Sequence, residues 1–111
     1  MIIRDSSPFG SRTRTRVLLA LRLLTESYPR ELARLLTLQP TAVRQALDSL
    51  ERDGLVAARP VGRTRVYRLE ARYFGYRELR RFLSRLTEPE GDLRARLAGL
   101  RRRPRRVGKP L

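Results

Sequence analysis

Residues 36–56, LTLQPTAVRQALDSLERDGLV, constrain the fold more than any other stretch of the chain. Val43, Ala46, Leu47 and Leu50 recur at the spacing of one buried stripe on an α-helix. Pro40 suits the first turn, where its missing amide hydrogen costs nothing. Gly54 stands where a helix C-terminus calls for a left-handed residue. The stretch therefore predicts a helix from Pro40 to about Asp53, with one side on a core and the other side free. That free side offers Thr41, Gln45, Asp48 and Arg52, with Gln39 and Arg44 beside them, instead of the Glu and Lys of an ordinary solvated face.

The flanks supply what such a helix needs. Ser11 is placed to cap a first helix running to about Glu26, whose Val17, Leu18, Leu21 and Leu24 recur at helical spacing. Leu19 and Leu23 widen that stripe until it calls for two packing partners, one of which a second subunit would provide. Ser27-Tyr28-Pro29 breaks the pattern, and a short helix over residues 29–36 follows, burying Leu32, Ala33, Leu35 and Leu36. Thr37-Leu38-Gln39 is then a three-residue connector.

Beyond Gly54 the period changes from helical to alternating. Residues 55–59 and 65–69 read as strands joined by the Gly-containing loop 60–64, with Tyr67 and Leu69 on one face. Helical spacing returns at Tyr76, Leu79, Leu83 and Leu86, with Phe82 at the edge and Tyr73, Phe74 and Tyr76 forming an aromatic cluster. Thr87-Glu88-Pro89-Glu90 carries capping-box spacing before a last helix to about Arg102, with Leu93, Leu97 and Leu100 on one side. The expected fold is mainly α with a small β-hairpin: a three-helix core, a two-stranded wing and C-terminal helices. Its expected parts are an N-terminal arm over 1–10, a winged helix-turn-helix over 11–70, C-terminal helices for dimerisation over 71–102, and a basic disordered tail over 103–111.

Charge narrows the partners. Lys and Arg number 26 against 11 acids, a formal charge of +15, and 25 of those cations are Arg. Such a field favours polyanions, nucleic acid before an anionic membrane. No run approaches the roughly 20 apolar residues of a membrane span, and MIIRDSSPFGS lacks the pattern of a secretory signal. A cytoplasmic protein is expected. The chain has neither Cys nor His, so disulfides, thiolate or imidazole metal sites and His- or Cys-based nucleophilic catalysis are excluded.

Two helices joined by a three-residue turn, the second with a polar outer side, make a helix-turn-helix. A helix fits the major groove of DNA, where Arg reads guanine, Gln reads adenine and Thr meets phosphate or a thymine methyl. Gln39, Thr41, Arg44 and Gln45 occupy the first turn and a half, which reaches deepest. Arg63 and Arg65 of the hairpin are placed for the backbone or the adjacent minor groove. Arg12, Arg14 and Arg16 are expected to face DNA or a partner subunit.

YPRELARLLTLQPTAVRQALDSLERDGLV followed by RPVGRTRVYRLE resembles the winged helix-turn-helix of arsenic-repressor-type (ArsR-like) regulators. The resemblance covers roughly residues 11–70: ELA in the second helix, TAVRQALDSLERDGLV from recognition helix into strand, and VYRL in the second wing strand. It implies a homodimer on operator DNA, joined through its terminal helices, with Thr41, Arg44 and Gln45 on the recognition helix and Arg63 and Arg65 in the wing. Metal-sensing members use Cys and His, so metal sensing is not expected, and no cofactor is. Ala42 stands where many members carry a hydroxyl. FGSRTR is similar to the Gly-Ser opening of small nucleotidyltransferases, but no Asp-x-Asp pair follows it, and GSR reads as a helix cap. The sequence therefore points to a transcription regulator binding double-stranded DNA, not to an enzyme. A non-specific architectural or RNA-binding protein and a protein-interaction adaptor are the alternatives.

Overall fold

The structure, a computed structural model, describes residues 8–87. Within them run α1 (Arg12–Leu24), β1 (Glu26–Ser27), α2 (Pro29–Leu36), α3 (Pro40–Arg52), β2 (Val56–Val61), β3 (Thr64–Leu69) and α4 (Tyr76–Thr87). The arm before residue 8, the expected last helix with Leu93, Leu97 and Leu100, the expected capping box beyond Thr87 and the basic tail lie outside the described residues.

Helix α1 is the hub. Ser11 caps it as expected, its Oγ accepting the Arg14 amide at 3.0 Å. Val17, Leu18, Leu19, Ala20 and Leu21 are all essentially inaccessible to solvent, so this helix is covered on almost every side. Helices α2, α3 and α4 and strands β1 and β3 all pack on it. The breadth of its apolar surface is thus met within the chain. Three of its arginines also turn toward neighbouring elements, while Arg12 is exposed. Arg14 hydrogen-bonds the Phe9 carbonyl (2.6 Å) and the Ser49 hydroxyl and pairs with Asp53 at 2.9 Å, so its charge lies at the C-terminal end of α3. Arg16 donates to the Leu36 carbonyl at the end of α2 (3.3 Å), and Arg22 donates to Ser84 Oγ of α4 (3.0 Å). The expectation that Arg14 and Arg16 face DNA or a partner is corrected: Arg14 is held by the Phe9 carbonyl and by Ser49 and Asp53 near the end of α3, and Arg16 by the Leu36 carbonyl that ends α2.

Helices α2 and α3 match the expected bounds closely. Ser27 and Glu31 are both buried and satisfy each other across the start of α2, hydroxyl to carboxylate at 2.5 Å. Thr37 takes a left-handed conformation (φ 56°), and the Leu38 amide reaches back to the Ala33 carbonyl. The chain thereby turns within the three-residue connector. Helix α3 ends in a Schellman motif: Gly54 (φ 82°) donates to Glu51, and Leu55 donates to Leu50 at 2.9 Å.

Strands β1, β3 and β2 form one antiparallel sheet in that order. The third strand, β1, was not expected. Helix α1 stops at Leu24, two residues early, because Thr25 swings to φ 79° and the next two residues pair with Tyr67 and Arg68. The hairpin is also longer than expected. Pairing extends to Val61 opposite Thr64, leaving Gly62-Arg63 as a two-residue turn with Gly62 at φ 61°. Pro60 is tolerated because β2 is an edge strand. Tyr67 and Leu69 do share the buried face.

Because Arg14 is mostly shielded and serves three acceptors, Arg14→Ala is expected to lower the unfolding free energy by about 1–3 kcal/mol. The exposed Arg12→Ala should stay within about 0.5 kcal/mol. Urea unfolding of both variants measures the difference, and equal losses would remove the fastening role assigned to Arg14.

Candidate nucleic-acid interface

The stripe read from the sequence is the buried side of α3: Val43, Leu47 and Leu50 are fully inaccessible and Ala46 nearly so. That seating decides what the helix shows. Thr41, Arg44, Gln45, Asp48 and Arg52 are exposed, as are Gln39 and Pro40 at its start. Gln39 occupies the cap position without a side-chain capping bond. None of Gln39, Thr41, Arg44 or Gln45 makes a side-chain hydrogen bond or ion pair with another described residue. Asp48 and Arg52, four residues apart, do not pair with each other; the carboxylates of α3 that are engaged are Glu51 and Asp53.

The hairpin stands beside this face. Arg30 of α2, Arg44 and Asp48 of α3, and Arg63, Arg65 and Tyr67 of the hairpin line one open groove of about 980 Å³. The groove brings Arg44, Arg63 and Arg65 together. Gln39, Thr41 and Gln45 do not line it and lie elsewhere on the outer surface of α3. Arg30 and Asp48 were not among the candidate residues. Arg30 follows Pro29 in the first turn of α2, where only its place beside the hairpin marks it out.

The two wing arginines differ in their surroundings. Arg63 sits at the turn, exposed and without a described partner. Arg65 is engaged. Its Nη2 meets Glu51 Oε2 at 3.1 Å, and its guanidinium lies 5.5 Å from the centre of the Tyr67 ring. The Tyr67 oxygen, then Glu51, raise the guanidinium above its ordinary pKa. Burial pushes the Tyr67 phenol up, against the opposing pull of Arg65. The cluster ties the second wing strand to the last turn of α3. Glu51 was missed because its partner is distant in sequence and on another element, where no helix or strand spacing rule applies.

The aromatic cluster after the sheet divides as well. Tyr73 and Tyr76 pack against the core, whereas Phe74 is 94% exposed with its ring 5.0 Å from that of Tyr73. Phe9 meets Phe82 of α4 at 5.8 Å. Among the described residues no cluster of carboxylates is arranged to hold a metal ion, and no helix is long and apolar enough to cross a membrane.

No family model matches the chain, and no curated relative matches it. Solved structures do share its shape. The adhesin competence repressor AdcR of Streptococcus pyogenes superposes with a TM-score of 0.59 at 17% identity, over 80% of this chain and 66% of that one. A ZitR variant of Lactococcus lactis gives 0.60 at 18%, over 80% and 60%. A MarR variant of E. coli complexed with operator DNA gives 0.57 at 21%, over 83% and 73%. The chain thus spans under two-thirds of the length of ZitR and 66% of AdcR. These identities carry the fold and nothing finer, and they do not single out the arsenic-repressor type. The fold is a winged helix-turn-helix, mainly α with a small β wing.

Proposed function

We propose that this chain is a homodimeric, cytoplasmic transcription regulator of the arsenic-repressor-like kind that binds double-stranded DNA in a sequence-dependent way. One observation carries the reading. Thr41, Arg44 and Gln45 stand exposed and without described partners on a helix whose opposite side is locked into the core, beside a wing whose tip is the free cation Arg63. In this reading α3 enters the major groove, where Arg44 and Gln45 meet base edges and Thr41 and Gln39 meet the flanking phosphates. Arg63 follows the backbone or the neighbouring minor groove. Arg65 is a positioning residue, because Glu51 and Tyr67 already hold its guanidinium. The MarR variant's complex with operator DNA supports duplex DNA as the partner for this fold.

The remaining parts follow from the same frame. Residues 11–70 serve as the DNA-binding unit and the chain beyond 70 as the dimerisation region. The subunit contact takes the apolar edge of α4, where Phe82 is 44% exposed beside Phe9, together with residues beyond 87. With neither Cys nor His in the sequence, this reading includes no soft-metal effector and no catalytic step.

Three measurements test this. If six to ten phosphates are neutralised, affinity for a duplex should fall by about 10³–10⁵ between 50 and 200 mM salt, and a flat response would remove the electrostatic contact. Selection from a random duplex pool should return a palindrome with half-sites about one helical turn apart, and failure to enrich any sequence favours the architectural alternative. On the selected site, Arg44→Ala should cost about 1–3 kcal/mol at one base position; an equal loss on every sequence would make Arg44 a phosphate clamp.

Glu51→Gln gives a prediction whose sign is informative. Charge alone says that deleting an acid beside the binding face strengthens DNA binding. If Glu51 holds Arg65 and with it the wing, binding should instead weaken, and exchange of the β3 amides should quicken in the free protein. Tighter binding with unchanged exchange would sink the positioning role.

A further inference from the structure

The strongest charged surface outside the proposed reading face lies on α4. Taking 100° per residue, Arg80, Ser84, Arg77 and Arg81 follow one another around one flank of that helix, while Glu78, Phe82 and Arg85 occupy the other. Arg22 joins the basic flank from α1. Its Nε reaches Ser84 Oγ (3.0 Å) and the Arg80 carbonyl (3.3 Å), so a fourth guanidinium is held against the seam by neutral acceptors. Arg22, Arg77, Arg80, Arg81 and Ser84 line an open groove of about 420 Å³. Among the described residues no carboxylate lies within ion-pairing distance of any of the four arginines. Like charges three and four residues apart on a helix repel, so this flank works against the helix that carries it unless an anion settles there.

We propose that this flank is a second DNA-binding surface, which takes the phosphate backbone of a duplex segment other than the one seated on α3. Three observations favour that occupant. The guanidinium fork matches phosphate oxygens. The aromatic beside the basic flank, Tyr76, is half-buried with the Arg80 guanidinium 5.6 Å from its ring centre, and the exposed Phe82 lies toward the other flank, so the basic side presents no exposed apolar face of the kind an interfacial membrane helix requires. A second copy of the same flank would meet it with the same charge. The flank shares no residue with the groove at α3, and the two lie on different helices that both pack on α1. The result is a protein that joins two stretches of duplex: one read by sequence, one held by charge. The bridging role rests on the proposed function of the α3 face; the anion-binding flank does not.

The test loads protein onto a tethered duplex at low salt, washes it, and offers a labelled duplex of unrelated sequence. The full chain should capture the second duplex. The triple variant Arg77→Gln, Arg80→Gln, Arg81→Gln should lose that capture while holding the first duplex within about threefold, with the salt slope of capture lower by about 2 to 3. Arginine modification by phenylglyoxal, mapped by mass spectrometry with and without excess duplex in free solution, reads the two faces separately. Protection of Arg77, Arg80 and Arg81 reports this flank, and protection of Arg44 and Arg63 reports the recognition face, so either can fail alone. Capture unchanged in the triple variant, an equal loss of the first duplex, or no protection of the three α4 arginines overturns the proposal. Protection by polyglutamate but not by duplex also overturns it, in favour of an acidic protein partner.

Discussion

The structure depends on the burial of α1. A helix covered on nearly every side leaves little freedom to the elements around it, because each must bring an apolar face and a way to satisfy its own ends. The apolar faces are the leucine stripes of α2, α3 and α4. Helix α1 supplies cations to its neighbours: Arg14 near the end of α3, Arg16 at the end of α2, and Arg22 along the side of α4. A long side chain suits this task, since its methylene stem lies along apolar surface while the guanidinium reaches backbone and side-chain oxygens at the rim. The outward face of α3 follows from this seating. With Val43, Leu47 and Leu50 pointing at α1 and the core, Thr41, Arg44 and Gln45 have no direction left but outward.

Arginine therefore has more than one use in this chain, and the composition alone does not separate them. Some guanidiniums fasten helices, as on α1. Others pair on the sheet: Arg59 with Glu26 at 3.0 Å and Arg65 with Glu51 at 3.1 Å, each partly solvated. Pairs of that kind contribute little to stability, about 0–1 kcal/mol, and their value is geometric. The Arg65–Glu51 pair joins the second wing strand to the last turn of α3. A third group, with Arg44 and Arg63 in it, has no partner among the described residues. A +15 chain is thus less uniform than the number suggests.

What the sequence made legible was whatever is repeated locally. The stripes of α1, α2, α3 and α4, the Ser11 cap, the connector at 37–39 and the Gly54 stop all depend on residues within a turn or two of one another. The bounds of α2 and α3 came out within a residue for that reason. The third strand was hidden because Glu26-Ser27 has no strand pattern of its own; it exists through pairing with Arg68 and Tyr67. The early stop of α1 needs a positive φ at a threonine, which sequence patterns disfavour. The sequence alone reads a shorter hairpin because Pro60 looks like a loop residue, and only its edge position makes it acceptable in a strand. In the candidate site, the exposed side of α3 was legible from the buried side, since one implies the other. The fates of Arg14 and Arg65 were not, because a guanidinium's partner is chosen by tertiary geometry.

The placement of the acids bears on the selectivity proposed for α3. The outer face and last turn of α3 carry Asp48, Glu51 and Asp53, whereas the basic flank of α4 carries none. A surface built only to hold polyanions gains nothing from carboxylates beside its cations. A surface that must choose among sequences does gain, because an acid held near the groove repels any backbone that approaches in the wrong register and accepts only donors at a base edge. Asp48, in the same groove as Arg44 and Arg63 and without a cation of its own among the described residues, stands where such a penalty would act. Uneven charge across one small body thus separates a face of mixed charge on α3 from a wholly basic flank on α4. That separation follows from where α1 obliges each helix to lie.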